Sequence, residues 1–185
     1  ALESGADLVV ELPPIFASSS AEDFASCGVA LLDALGVVSH LCFGSESGNL
    51  EELSSVADLL AAESEEYQQV LRQHLKDGYP FPQARAAAFS FCSPKTDPEL
   101  LSQPNNTLGI EYLKAIKKQK SPVTPVTIKR MGSGYHEAVI SSDQPMASAT
   151  AIRAVLENRT VDDFKESNLL LASQIPPAAL NLART

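Results

Sequence analysis

The sequence predicts an α/β fold: a parallel sheet flanked by helices, followed by a helical C-terminal part. Two observations carry that expectation. Short β-branched apolar runs alternate with amphipathic helical segments in the order strand–helix–strand–helix, and the simplest packing of that order is a parallel sheet covered by helices. The composition, 44% hydrophobic and 20% charged over 185 residues, supplies a core for one ordinary domain, or for one domain and a small piece of another.

Each element has a local reason. Ala1 to Gly5 read as the last turn of a helix stopped by a glycine, with no helix start before it. Asp7 to Leu12 is a short apolar run halted by Pro13-Pro14, and is predicted as a buried strand. Ser20 caps the next helix with Asp23 as a weak capping box, and Gly36 ends it. Phe24, Cys27, Leu31 and Leu35 are predicted as its inner face. A second strand runs Val37 to Phe43, after which Asn49 and Glu52 open a helix with Leu53, Val56, Leu59 and Leu60 as its inner stripe. Further helices are predicted at about 65–76, closed by Gly78, at about 82–91 and at about 107–118. The third strand is Val123 to Ile128, where Val126 and Ile128 alternate with Thr127 and Lys129 as if one face were exposed. Helix resumes from Ser148, with a short segment around Val161–Glu166 and a helical beginning after Pro176-Pro177.

Composition narrows the function classes. No apolar run approaches the roughly 20 residues that span a bilayer, so no membrane partner is expected. Three scattered cysteines, Cys27, Cys42 and Cys92, make neither a disulfide framework nor a CxxC metal site. The net charge of −9 hides a split. Residues 1–71 hold 13 acids and no lysine or arginine, whereas residues 72–185 hold all 14 bases against 10 acids. From Lys114 to Arg153 there are seven bases and only Glu137 and Asp143, so an anionic ligand is expected in the second half.

Ligands of open α/β sheets bind beyond the carboxyl ends of the strands. The turn Phe43-Gly44-Ser45-Glu46-Ser47-Gly48 sits there, and Gly44 reads either as part of a plain strand–helix turn or as a place where a flat ligand meets bare backbone. Lys129-Arg130-Met131-Gly132-Ser133-Gly134-Tyr135-His136 sits there too, two bases before a Gly-x-Gly turn, but it is neither a Walker loop nor a GxGxxG fingerprint. In Ala147-Ser148-Ala149-Thr150-Ala151-Ile152-Arg153, two hydroxyls and a guanidinium gather at a helix start, which suits a triphosphate as well as it suits an ordinary cap. In Pro104-Asn105-Asn106-Thr107 an asparagine caps a helix or donates to a phosphate or ribose oxygen. The lysines at 114, 117, 118 and 120 read as a solvated helix face. No nucleophile–base constellation or metal-spaced cluster emerges.

Taken in order, GADLVVELPPIFASSSAEDFASCGVALLDALGV, LCFGSESG, SQPNNTLGIEYLKAI, SPVTPVTIKRMGSGYH and ASATAIR resemble the bacterial tRNA(Met) cytidine acetate ligases, relatives of the HxGH nucleotidyltransferases. The resemblance runs from about residue 1 to 157 and is looser beyond. It implies a Rossmann-like nucleotidyltransferase domain over 1–158 and the start of a helical region over 159–185. It implies a cytoplasmic enzyme that uses ATP, with phosphate-bound Mg²⁺, to activate acetate and acetylate N4 of the wobble cytidine of elongator tRNA(Met). Gly44, Asn105, Arg130 and Met131 then match ATP contacts, and Ser148, Thr150 and Arg153 match a second phosphate motif. The HxGH motif itself has no counterpart: His40, His74 and His136 lie in no such pattern. The chain is therefore expected to be a fragment of a longer enzyme, inactive alone. The rival expectations are a nucleotidyltransferase adenylylating a small molecule, and a non-catalytic nucleotide-binding module.

Overall fold

A computed structural model describes residues 1–62, 64–94, 96–130, 147, 149–158, 171–172, 174–175, 177 and 179. The chain divides into two units, Leu12–Arg130 and Ala1–Glu11 with Met131–Thr185.

The larger unit runs α1 (Pro14–Ala17), α2 (Ala21–Leu35), β1 (His40–Ser45), α3 (Leu50–Ala62), α4 (Glu65–Lys76), α5 (Phe81–Cys92), α6 (Pro104–Gln119) and β2 (Thr124–Lys129). The two strands pair in parallel, with Gly44 opposite Ile128 and Ser45 opposite Lys129. Helix α6 is the hub. It packs on β1, α2 and α3, and the approach to β1 is close enough to demand glycine: a Cβ on Gly109 would stand 2.5 Å from the Phe43 ring. Phe43, Leu53, Val56, Leu60, Phe89, Ile110 and Leu113 form the main core, and Val29, Ala115 and Ile116 a second cluster under α2. Removing a side chain such as Leu53 or Ile110, both fully buried, would cost about 2–5 kcal/mol.

Local signals set most boundaries. The Ser20 hydroxyl accepts the Asp23 N–H at 3.2 Å, while the Asp23 carboxylate takes the hydroxyls of Ser19 and Ser20 at 2.6 and 3.0 Å. Those two bonds, Ser19 first, hold the Asp23 carboxyl below its usual range. Gly36 closes α2 at φ 68°. At α3, Asn49 Oδ1 accepts the Glu52 N–H, but the Glu52 carboxylate turns to the Ser47 hydroxyl instead of completing a box. Proline at the first turn starts α6 at Pro104, three residues ahead of the expected start, because proline's fixed φ and missing N–H suit that position.

Several expectations are corrected. Asp7–Leu12 forms no strand, and Leu8, Val9 and Val10 are 62, 56 and 46% exposed. A β-branched run is held as a strand only by a ladder neighbour, and the described sheet joins β1 to β2 alone. The inner face of α2 centres on Ala25 and Val29, not on Phe24, Cys27, Leu31 and Leu35, because α6 packs against α2 on that side, with Ala115 and Ile116 clustered against Val29. On β2 the apolar residues are the open ones, Val126 and Ile128 at 38 and 61%. Thr127 lies on the side of the pleat that carries Phe43, where its hydroxyl meets that of Ser45 at 2.7 Å.

In the smaller unit, Leu2–Ser4 make a 3₁₀ turn ended by Gly5 at φ 101°, and α7 spans Ala149–Asn158. Ala151 and Leu171 are buried there, and the Ala147 N–H donates to Gln174 at 2.7 Å. The segments predicted at Val161–Glu166 and beyond Pro177 lie largely outside the described residues, as does His136.

Candidate functional site

The carboxyl ends of β1 and β2 bring Gly44, Glu46 and Arg130 beside the start of α6. Ser45 is fully buried, and its hydroxyl accepts the Gly48 N–H at 2.9 Å, which curls the loop after β1 back on itself. Gly48 has no substitute. Its φ is +68°, and a Cβ there would lie 2.5 Å from that of Lys129. The ladder extends one step when the Arg130 N–H donates to the Ser45 carbonyl at 2.8 Å.

That step lays the Arg130 stem over Gly44, where a Cβ would stand 3.2 Å from Arg130 Cγ. The bare backbone at Gly44 thus receives the arginine side chain. Arg130 is exposed and, among the described residues, has no carboxylate partner, so its charge is available to an anion.

Neither asparagine caps α6. The helix start is closed by Glu46, reaching across from the β1 loop. Glu46 Oε1 accepts the backbone N–H and the side-chain Nδ2 of Asn105, at 3.2 and 2.7 Å. Its Oε2 accepts the Asn106 N–H at 2.7 Å. Partial burial pushes the Glu46 carboxyl up, but the bonds from the Asn105 side chain and the backbone N–H groups outweigh it, and the net displacement is downward. Asn106 is fully buried and spent: it accepts from the Ser47 N–H at 3.0 Å and donates to Gln103 at 2.6 Å.

The lysine stripe of α6 is more than a solvated face. Lys114 is only 18% exposed and bonds Glu111 at 2.6 Å, while Arg85 of α5 reaches the same buried carboxylate at 2.7 Å. Lys117 pairs with Asp58 of α3. Glu111, Lys114 and Lys117 border a cavity of about 590 Å³ that Glu22, Asp23 and Lys118 also line.

In the smaller unit, Thr150 stands in the first turn of α7 and Arg153 is exposed, again without a carboxylate partner among the described residues. Met131 and Ser148 lie outside the described residues. The structure therefore brings Gly44, Asn105 and Arg130 together around one strand end, while Thr150 and Arg153 belong to the other unit. Reading along the chain missed the role of Glu46. Its position in a strand-end loop was visible, but nothing local marks it as the cap of a helix that begins at Pro104.

The model of the HIGH Nucleotidyl Transferase family matches residues 1–185. The chain belongs to this family. It is 43% identical over 166 residues to a tRNA(Met) cytidine acetate ligase of Caldanaerobacter subterraneus subsp. tengcongensis, covering 89% of this chain and 41% of that protein. It is 45% identical over 159 residues to one of Syntrophomonas wolfei, covering 84 and 38%. Two crystal structures of Thermotoga maritima TmcAL, each 34% identical, match 97% of this chain. The apo form has a TM-score of 0.83, and the form bound with alpha-thio ATP one of 0.79, with 42 and 40% of those chains covered. The chain thus spans about two-fifths of the length of the curated relatives it matches. Among the described residues no helix is long and apolar enough to cross a membrane.

Proposed function

We propose that this chain is the nucleotide-binding part of an ATP-dependent tRNA(Met) cytidine acetate ligase, with residues 1–158 as its nucleotidyltransferase-like domain and 159–185 as the start of a helical region. The observation that carries the reading is similarity at 38–45% identity to ligases of that name, joined to a site at the strand ends whose arginine has no carboxylate partner among the described residues. The likeness to a TmcAL that binds alpha-thio ATP supports ATP as the nucleotide.

In this reading an acetate oxygen attacks the α-phosphorus of ATP in line and pyrophosphate leaves. The N4 amine of the wobble cytidine of elongator tRNA(Met) then attacks the acetyl carbonyl, AMP departs and the nitrogen loses a proton. Gly44 allows Arg130 to lie over the strand end and meet the nucleotide, with Met131 beside it in sequence. Ser148, Thr150 and Arg153 hold phosphates at the start of α7, where the helix dipole and a guanidinium favour negative charge. Work of this kind is positioning and charge neutralisation. Mg²⁺ would be held by the phosphates, since no three His, Cys, Asp or Glu side chains gather to hold an ion among the described residues. A tRNA substrate places the reaction in the cytoplasm.

The test is pyrophosphate exchange by the intact gene product. Exchange that requires acetate, with acetyl transfer to tRNA(Met), is expected. Exchange driven instead by a phosphate ester or a mononucleotide would replace this reading with adenylylation of a small molecule.

A further inference from the structure

We propose that Glu46 is a positioning residue that fixes the side-chain amide of Asn105, so that the site offers a bound nucleoside the Oδ1 of Asn105, a hydrogen-bond acceptor. The proposal deepens the nucleotide-binding reading and rests on it.

A carboxylate can only accept, so the group of Asn105 facing Glu46 must be its nitrogen. That settles an amide orientation that geometry alone leaves ambiguous. Glu46 takes Nδ2 at 2.7 Å and, through the same oxygen, the Asn105 backbone N–H at 3.2 Å. The amide is thereby tied to the helix start at two points. No described group donates to Asn105 Oδ1, and Asn105 is only half-buried. Asn106 cannot share the task, because both ends of its buried amide are engaged by Ser47 and Gln103.

Charge points the same way. A helix start ordinarily favours a phosphate, but here the Glu46 carboxylate already occupies that position, bonding the N–H groups of Asn105 and Asn106. A phosphate brought to Asn105 would meet a like charge within a few ångströms. The ligand group at Asn105 must therefore be a donor: a ribose hydroxyl or the exocyclic amine of the base. The expectation that the asparagine donates to a phosphate is reversed in polarity.

The intact gene product would be titrated calorimetrically with ATP, 2′-deoxy-ATP, 3′-deoxy-ATP and the analogue of ATP lacking the 6-amino group. One analogue is expected to bind about tenfold or more weakly than ATP, and its identity names the donor. In Glu46→Gln, whose amide presents nitrogen or oxygen equally well, Asn105 is free to turn over, and that ratio should fall to about threefold or less. A mere helix cap would weaken ATP and the analogues alike and leave the ratio untouched, which overturns the proposal. The double variant Glu46→Gln with Asn105→Asp exchanges donor and acceptor between the two positions and should restore the discrimination. A double variant that melts cooperatively yet does not discriminate also overturns it. A flat series with normal ATP affinity in the parent defeats this proposal alone, whereas a parent that binds no ATP defeats the nucleotide reading with it.

Discussion

Helices α6 and α7 begin in motifs that look alike on paper. Each opens with small residues, Pro104-Asn105-Asn106-Thr107 in one and Ser148-Ala149-Thr150 in the other, and on sequence alone each invites an anion to a helix N-terminus. At α6 the chain supplies the anion itself, through Glu46. At α7 the first turn holds no acid, and Arg153 adds a cation with no carboxylate partner among the described residues. The same local pattern is thus a joint closed by a carboxylate in one place and, in the other, a first turn without an acid beside a guanidinium that has no carboxylate partner among the described residues. What differs is a residue distant in sequence.

The largest effect should come from opening the closed joint. Glu46→Ala leaves the N–H groups of Asn105 and Asn106 and the Asn105 amide without their acceptor. The loss of a cap with charge-assisted bonds, discounted for water that reaches a half-buried site, should cost about 2–4 kcal/mol. Urea denaturation reads this as a lower midpoint with unchanged slope. A midpoint that does not move would mean that water replaces Glu46 and that the two helix starts are equivalent after all.

The opposite change belongs to α7. Arg153→Ala should weaken ATP binding by the intact gene product by about 1–3 kcal/mol, and should leave stability within about 0.5 kcal/mol because the side chain removed is exposed and has no carboxylate partner among the described residues. Calorimetry and denaturation on the same variant separate the two quantities. A variant that loses stability but keeps its ATP affinity would place α7 beside α6 as a structural joint.

How far each feature was legible follows from the range of the interaction that makes it. Ser20, Gly36 and Gly5 act within one helical turn, and the structure keeps all three roles. Ser45 to Gly48 was legible as a turn, because a glycine at φ +68° is a local requirement. The bond from Glu46 to Asn106 and the Arg85–Glu111–Lys114 cluster join separate elements, so a scan for period and spacing reads Glu46 as an ordinary loop acid and Lys114 as a solvated base. Asp7 to Leu12 failed for the converse reason. Its β-branched pattern is local, whereas a strand is made by its neighbour. Gly109 shows the limit from another side: within the α6 pattern it is merely a poor helix former, and only Phe43 beneath it explains why no Cβ fits.

The smallest effect sharpens the comparison through pH. Partial burial raises the Glu46 carboxyl, yet the Asn105 side chain and the backbone N–H groups bring it to a net value below the ordinary glutamate range. A carboxyl depressed in the folded state binds fewer protons there than in the unfolded chain. Its stabilisation is therefore complete above the unfolded value and is lost as pH falls through the folded one. The gap in stability between the parent and Glu46→Gln should be widest near neutrality and should narrow as pH drops below about 4. Asp23, depressed first by Ser19 and then by Ser20, adds acid sensitivity of the same sign to both proteins and cancels from the difference. Arg153→Ala should track the parent in parallel across that range, since a guanidinium does not titrate there. Denaturation midpoints at a series of pH values provide the measurement. A constant gap between the parent and Glu46→Gln would show that the carboxylate's charge contributes nothing at α6, leaving shape alone to separate it from α7.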